Sequence, residues 1–210
     1  MSMPYEAKNF EHLLGTAGFS DVMLKNHFTL YQGYVTNTNK LVDELGALNA
    51  TGKMGTPAWA ELKRRAGWEF NGMRLHELYF GNMRQASSAP SPGGSGNANA
   101  PMRMNAKLID AITGQWQSHD DWEKEFRATG AMRGIGWTIL YYDPEARRMF
   151  NVWVNEHDVG HYAGCAPLLV LDVFEHAYML DYGLKRADYI EAFMNAIDWG
   201  VVGERFDKIL

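Results

Sequence analysis

The segment from Leu168 to Tyr182, LLVLDVFEHAYMLDY, is apolar at most positions but carries Asp172, Glu175 and His176 in its middle. A charged side chain is costly to bury unless it is paired with an opposite charge or bound to a metal ion. Asp172 could cap a helix, with Glu175 completing a capping box. That arrangement leaves His176 unexplained, so a fold that buries this segment must provide a partner for an acidic and imidazole cluster.

The overall composition excludes several classes of partner. The chain has 210 residues, of which 46% are hydrophobic and 21% charged, with a net charge of −5. This charge argues against nucleic acid or an anionic membrane as the main partner. No apolar run has the length of a membrane-spanning helix, and the N-terminus lacks a signal-peptide core. The single cysteine, Cys165, excludes an internal disulfide and favours a reducing compartment. We therefore expect a cytoplasmic protein.

A segment rich in Gly, Pro, Ser and Asn divides the chain in two. It runs from Ser87 to Pro101, SSAPSPGGSGNANAP, and its composition is typical of a loop or linker. We predict an N-terminal helical hairpin domain over residues 1–88, a linker over 89–101 and a C-terminal α/β domain over 102–210. The hairpin is predicted because apolar residues recur at helical spacing. They are Met23, His27, Leu30, Tyr31, Tyr34, Leu41 and Leu45, then Phe70, Met73, His76, Phe80 and Met83.

The second half has the pattern of a mixed α and β domain. Short helices are predicted over residues 105–113 and 120–128, the second capped by Ser118 or Asp120. The segments GWTILYYD and MFNVWVN are rich in β-branched and aromatic residues and flank PEARR, which predicts a β-hairpin. PLLVL is a candidate third strand buried on both faces, and KRADYIEAFMNAIDWGVVGERF predicts one or two closing helices.

Histidines on apolar elements indicate a metal site. His27 and His76 each lie on the apolar face of a predicted helix, where a single histidine is more often a core residue. Together with His176 and Asp172, however, they supply three imidazoles and one carboxylate. This donor set favours iron, manganese or zinc. Of the other histidines, His12 and His119 are expected to be surface residues, and His161 to be structural or exposed.

Several motifs of this sequence occur in the same order as in a known protein family. The chain resembles the iron/manganese superoxide dismutases over nearly its whole length. DVFEHAY is similar to the family's Asp-x-Trp-Glu-His-Ala-Tyr signature, and RADYIEAFMNAIDW to its C-terminal helix. NHFTLYQGYVTNTN and GMRLHELYFGNM resemble the two helical segments that carry ligand histidines. GIGWTILYYD resembles the first strand.

The resemblance implies an α+β fold, with an N-terminal helical hairpin domain packed on a C-terminal α/β domain that has a three-stranded antiparallel sheet. It implies that His27, His76, Asp172 and His176 bind one iron or manganese ion per subunit, with solvent as a fifth ligand. Two superoxide anions and two protons would then give dioxygen and hydrogen peroxide. The sequence leans slightly to iron and allows activity with both metals.

Residues around the metal depart from the usual pattern of the family. Tyr34, the expected active-site tyrosine, follows His27 by seven residues instead of eight. In most members a glutamine bonds the metal-bound solvent, and a smaller branch uses histidine. NEHDVGH resembles that branch, so we expect His157 in this role, with Glu156 as the alternative and Gly72 at the other glutamine position. Such hydrogen bonds tune the metal.

The resemblance also implies an access route and a subunit interface. Trp137 is expected to line the route to the metal, with Arg186 and Lys185 attracting the anionic substrate. The residues expected at the interface are Glu175, Tyr31 and Met179. The last two replace a histidine and a tyrosine that meet between subunits in the family. We expect a homodimer, and a tetramer is an alternative.

Two other functions are compatible with parts of the pattern. The first is a zinc hydrolase, but four protein ligands would complete a tetrahedral zinc site and leave no position for a catalytic water. The second is a structural subunit of a larger assembly. A structural subunit would be expected to have lost ligands, whereas all four are present here.

Overall fold

The computed structural model describes residues 3–85 and 104–210. The predicted linker and the domain boundaries at its two ends lie outside the described residues. In the N-terminal part, helix α1 spans Asp21–Ala50 and helix α2 spans Pro57–Gly81, and the two pack against each other. Ser20 and Thr56 cap these helices by accepting hydrogen bonds from the backbone N–H groups of Met23 and Trp59.

Most residues predicted on the apolar faces of α1 and α2 are buried in the core, as expected. Tyr34 and Leu45 are half-buried. Leu30 and Phe70 are 37% and 38% exposed, respectively. Phe70 packs edge-on against Tyr5 at the surface, with 6.1 Å between ring centroids. Among the described residues, no helix is long and apolar enough to cross a membrane.

Two short helices open the C-terminal part. Helix α3 spans Ala106–Trp116 and helix α4 spans His119–Gly130, and Asn105 and Ser118 cap them. These helices confirm the two predicted ones and are slightly longer. Apolar side chains from both helices, among them Leu108 and Trp122, are fully buried in the core.

A three-stranded antiparallel sheet follows, with strand order β2-β1-β3. Its strands are β1 (Trp137–Asp143), β2 (Arg148–Val154) and β3 (Ala166–Asp172). Gly136 enters β1 with φ of 123°, and a Cβ atom there would lie 2.0 Å from the carbonyl oxygen of Val154. Only glycine fits this position. The register then pairs Trp137 with Asp172, which brings the start of β1 to the end of β3 that carries this carboxylate.

The chain after β3 is helical. It forms a 3₁₀ turn at Glu175–Ala177, then α5 (Met179–Tyr182), α6 (Arg186–Ala196) and α7 (Trp199–Asp207). Together with the helices and the sheet described above, these elements confirm the predicted α+β fold. The closing segment forms two helices, α6 and α7, which settles the number that the sequence left open.

A buried amide and a half-buried cation connect α2 to β3. Asn82, at the end of α2, accepts a hydrogen bond from the Val170 N–H (2.8 Å) and donates one to the Val170 carbonyl (3.2 Å). Arg205 of α7 donates to the Leu168 carbonyl of β3 (2.8 Å) and to the Leu78 carbonyl of α2 (2.9 Å). These bonds set α2, which carries His76, against β3 two residues before its acidic end.

Candidate metal centre

The four predicted ligands come from four elements of the fold. His27 lies on α1, His76 on α2, Asp172 at the end of β3 and His176 in the 3₁₀ turn that follows. One donor atom from each lies within 4.8 Å of every other. His27, His76 and Asp172 are at most 3% exposed, whereas the side chain of His176 is 30% exposed. The centre is therefore buried on three sides and reaches solvent beside His176.

The three imidazoles converge on one carboxylate oxygen. The Nε2 atoms of His27 and His176 each lie 3.2 Å from Oδ2 of Asp172, and Nε2 of His76 lies 3.6 Å from it. The other carboxylate oxygen, Oδ1, accepts the backbone N–H of Phe174 at 2.8 Å. One side of the carboxylate is therefore fixed by the backbone, and the other faces three nitrogen donors.

His76 provides a test of whether a metal ion fits. Its Nδ1–H donates to the Gly72 carbonyl oxygen at 2.6 Å, so its Nε2 carries a lone pair. Within the described part of the chain, that Nε2 is buried without a hydrogen-bond partner. An unpaired buried nitrogen is costly unless a metal ion or another group binds it. Three imidazole nitrogens and a carboxylate oxygen suit iron, manganese or zinc, so the residues fit a metal ion.

The protonation states also favour a cation. Burial lowers the pKa of His27, and it lowers the pKa of His76 well below the usual value, so both imidazoles are neutral at pH 7. Burial opposes ionisation of Asp172, but the hydrogen bonds and polar nitrogens of His176 and His27 outweigh it and lower the pKa of the carboxyl. Asp172 is therefore negatively charged beside the neutral nitrogen donors of His27 and His76, which is the combination that metal binding requires.

His157 lies beside this cluster and is held at both ring nitrogens. It is 1% exposed, and its ring centroid lies 6.1 Å from that of His76. Its Nδ1 accepts a hydrogen bond from the indole N–H of Trp137 at 3.1 Å. Because an indole nitrogen can only donate, a neutral His157 carries its proton on Nε2. That nitrogen lies 2.7 Å from the Tyr34 hydroxyl oxygen, to which it donates.

Tyr34 reaches the cluster despite the shortened spacing from His27. Its ring stacks on His76 with 5.2 Å between centroids, and it occupies the space that a side chain at Gly72 would need. A Cβ on Gly72 would lie 2.5 Å from the Tyr34 ring. Burial, followed by the negative charge of Asp172, raises the pKa of the Tyr34 hydroxyl to about 12. Tyr34 is therefore protonated at neutral pH.

The residues predicted along the access route lie in different surroundings. Trp137 is fully buried, with its ring edge-on to His76 at 5.1 Å. The guanidinium of Arg186 donates to the carbonyl oxygens of Met132 and Gly134, both at 2.6 Å. Lys185 is exposed immediately before α6. The attraction of superoxide by these two cations stays a prediction.

One residue predicted at a subunit interface is buried within the subunit. Tyr31 is only 1% exposed in a single chain. Its hydroxyl accepts the Lys8 backbone N–H at 3.0 Å and donates to Glu77 at 3.1 Å. These bonds hold the Tyr31 hydroxyl inside the subunit, and a contact of Tyr31 with another subunit stays a prediction. Met179, in contrast, is 41% exposed, and Glu175 is exposed beside it.

Sequence reasoning missed two aromatic residues of the site. Trp68 packs edge-on against His157 with 4.6 Å between ring centroids, and it precedes His76 by eight residues on the same helix. That two-turn spacing is the signal that could have identified it. Tyr189 of α6 donates its hydroxyl proton to the Asp172 backbone carbonyl at 2.7 Å, which no local pattern indicates.

The remaining histidines differ from one another. His12 is exposed, as expected. His119, expected to be a surface residue, is half-buried because it packs on Trp122 and Trp199, with ring centroids 5.1 and 5.8 Å away. His161 is half-buried and makes two hydrogen bonds next to His157, so it is not a simple exposed loop residue.

Comparison with known proteins agrees with this geometry. Residues 104–205 match the family model of the C-terminal domain of iron/manganese superoxide dismutases. A manganese superoxide dismutase from Haloarcula marismortui is 34% identical over 187 residues, 89% of this chain and 84% of the relative. An iron superoxide dismutase from Aquifex pyrophilus is 35% identical, and the match covers 92% of this chain and 86% of the relative. An iron superoxide dismutase from Sulfolobus acidocaldarius is 31% identical, and the match covers 99% of this chain and 92% of the relative. This chain therefore belongs to the iron/manganese superoxide dismutase family.

Proposed function

We propose that this chain is an enzyme that converts two superoxide anions and two protons into dioxygen and hydrogen peroxide at the centre formed by His27, His76, Asp172 and His176. The observation that carries the proposal is the convergence of three Nε2 atoms on one oxygen of Asp172, in a chain that belongs to this family. The one-electron chemistry would come from a bound iron or manganese ion, because these side chains do not change oxidation state readily.

The four ligands would hold the ion in place from both halves of the chain. His76 is oriented for binding before any ion arrives, because its Nδ1–H is bonded to the Gly72 carbonyl. Asp172 supplies the negative charge that partly neutralises the cation. Since α1, α2 and β3 all contribute a ligand, metal binding would add to the stability of the fold.

Tyr34 and His157 would form a hydrogen-bonded pair next to the ion. The Nε2–H group of His157 donates a hydrogen bond to the Tyr34 oxygen. The hydroxyl hydrogen of Tyr34 is therefore available to donate to another acceptor. We infer that Tyr34 donates this hydrogen bond to superoxide or solvent at the metal. Burial lowers the pKa of His157 to about 4, which keeps its ring neutral. The sequence predicted that His157 bonds the metal-bound solvent directly, with Glu156 as the alternative. Because both ring nitrogens of His157 are bonded to Trp137 and Tyr34, we propose instead that His157 acts by holding the Tyr34 hydroxyl, and we prefer it to Glu156 in this role.

Aromatic side chains would keep bulk water away from the centre. Trp137 packs edge-on against His76, and Trp68 packs edge-on against His157. We propose that these indoles line the narrow route to the ion. Lys185 and Arg186 remain candidates for attracting the anion, and Lys185 is the freer of the two because Arg186 is bonded to backbone carbonyls.

We propose that two subunits associate through the surface beside His176. A pocket of about 370 Å³ opens there, with a lining that includes Glu175, Met179 and Leu180. Met179 and Leu180 are 41% and 58% exposed, and apolar side chains exposed together favour association. A tetramer is the alternative assembly. We also propose a cytoplasmic location, which the single cysteine supports.

The choice between iron and manganese is open to direct test. The relatives described above bear names for either metal, so they support the pair but not one member. The resemblance of the His157 segment to the histidine branch leads us to propose iron first, with activity in the manganese form as well.

The proposal is tested by loading the protein separately with iron, manganese and zinc, and by measuring bound metal and superoxide decay for each form. The zinc form is the matched control, because zinc also binds imidazole and carboxylate but has no redox chemistry. We expect catalysis per bound ion with iron or manganese and none with zinc. Full binding of iron and manganese without dismutation would refute the proposed function.

A further inference from the structure

The residue that positions His157 is identified by the direction of two hydrogen bonds. His157 lies in the loop between β2 and β3, and His161 is four residues further along this loop. The Nε2 of His161 lies 2.6 Å from the His157 carbonyl oxygen. Because a carbonyl only accepts, the Nε2 of His161 carries a proton and donates it.

The other ring nitrogen of His161 is used as well. Its Nδ1 lies 2.6 Å from the Tyr141 hydroxyl oxygen. In a neutral imidazole with its proton on Nε2, the Nδ1 is an acceptor, so Tyr141 donates to it. Tyr141 is 3% exposed in β1 and stacks on Tyr162 with 6.1 Å between ring centroids. His161 therefore connects the backbone of His157 to a buried residue of the sheet.

Strand β1 reaches His157 a second time. Trp137, at the start of the strand, donates its indole N–H to Nδ1 of the His157 ring. The His157 ring is thus fixed by one residue of β1, and the His157 backbone carbonyl is fixed through His161 by another. Between His157 and His161 the loop is exposed: Val159 is 53% exposed, and Gly160 has φ of 92°. Without His161, the backbone at His157 would lose its side-chain link to the sheet.

We propose that His161, with Tyr141, is a positioning residue that sets the placement of His157 and so the hydrogen bond from His157 to Tyr34. This inference rests on the proposed function of His157 at the metal. His161 itself touches neither superoxide nor the ion. Small displacements of a residue next to a reacting centre can lower rates by roughly a hundredfold. A loop loosened by the loss of His161 should therefore lower the rate measurably.

The test compares four variants of the metal-loaded protein by kcat/KM for superoxide and by the midpoint reduction potential of the bound ion. We expect His161→Ala to lower kcat/KM about tenfold and to shift the potential in the same direction as His157→Ala. His161→Gln keeps an amide donor for the His157 carbonyl and should restore kcat/KM to within about threefold of the parent. Val159→Ala, an exposed change in the same loop, is the control and should alter neither quantity.

A double variant separates positioning from a general loss of structure. If His161 acts through His157, adding His161→Ala to His157→Ala should change kcat/KM by less than about twofold, because the positioned ring is already absent. Bound metal is measured for each variant so that rates refer to occupied sites. Equal tenfold losses in both backgrounds would overturn the inference, as would a parent-like potential in His161→Ala.

The two proposals fail in different ways. If His157→Ala leaves rate and potential unchanged, the role of His157 is wrong and the inference about His161 falls with it. If His157→Ala is impaired while His161→Ala is not, His157 acts at the metal without help from His161. The positioning role is supported only if His157→Ala and His161→Ala are both impaired and their effects on kcat/KM are non-additive in the double variant.

Discussion

The contact between Gly72 and Tyr34 yields a prediction that depends on the details of packing. A Cβ at Gly72 would lie 2.5, 2.6 and 2.9 Å from three atoms of the Tyr34 ring. Substituting alanine for glycine inside a helix ordinarily stabilises a protein by about 0.5–1 kcal/mol. In Gly72→Ala the ring must move, which costs about 1–3 kcal/mol as overpacking. Displacing Tyr34 also loses its hydrogen bond with His157, at about 1 kcal/mol.

The sum is a net destabilisation of about 1–3.5 kcal/mol for Gly72→Ala. The assay is urea unfolding of the metal-free protein, with the midpoint compared at an unchanged m value. Gly46→Ala is the matched control, since Gly46 lies on the exposed side of α1 and a Cβ there would meet nothing within 4 Å. It should stabilise the protein by about 0.5–1 kcal/mol.

The background Tyr34→Ala decides whether Tyr34 is the cause. With the ring removed, Gly72→Ala should become neutral or stabilising, because the atoms that it would meet are gone. Persistent destabilisation in that background would refute the reasoning. A stabilising effect of Gly72→Ala in the parent protein would refute it as well.

Three further perturbations act on buried histidines, a buried amide and the bound ion. Burial lowers the pKa of His76 and His157 below the 6.5 of an unfolded chain, the latter to about 4, so protons favour unfolding. Urea titrations of the metal-free protein should therefore show a free energy of unfolding that falls as the pH is lowered from about 6.5 to about 4. A free energy of unfolding that does not change over this range would contradict the prediction. Asn82→Ala leaves the Val170 N–H unpaired and should cost about 2–4 kcal/mol in the same assay; under about 0.5 kcal/mol would contradict it. Removing the ion with a chelator should lower the melting temperature, since a metal at a hundred times its Kd adds about 2.7 kcal/mol; an unchanged value would contradict that.

The sequence predicted the elements well, and it also selected the four residues that the structure clusters, because both depend on periodicity and residue type. His27 and His76 stood out as imidazoles on apolar helix faces, and Asp172 as a carboxylate in an apolar segment. The elements that follow the sheet were predicted for the same reason, since their apolar spacing is regular. These features need no knowledge of how one element is rotated against another.

What the sequence did not predict depends on that rotation. Tyr31 is one helical turn from His27, but only the packing of α1 on α2 decides that its hydroxyl meets Glu77 and the Lys8 backbone. His161 has its partner Tyr141 twenty residues away, across a hairpin and a loop. Such pairs carry no local signal, because each partner is chosen by tertiary structure.

The proposed dismutation is tested most directly by the product ratio when metal-loaded protein consumes a large excess of superoxide. Dismutation predicts one dioxygen and one hydrogen peroxide for every two superoxide anions, over many turnovers of the site. Formation of hydrogen peroxide without dioxygen, ending after about one equivalent unless a reductant is added, would mean that the centre only reduces superoxide. That result would contradict the proposed function while leaving the fold and the ligand set intact.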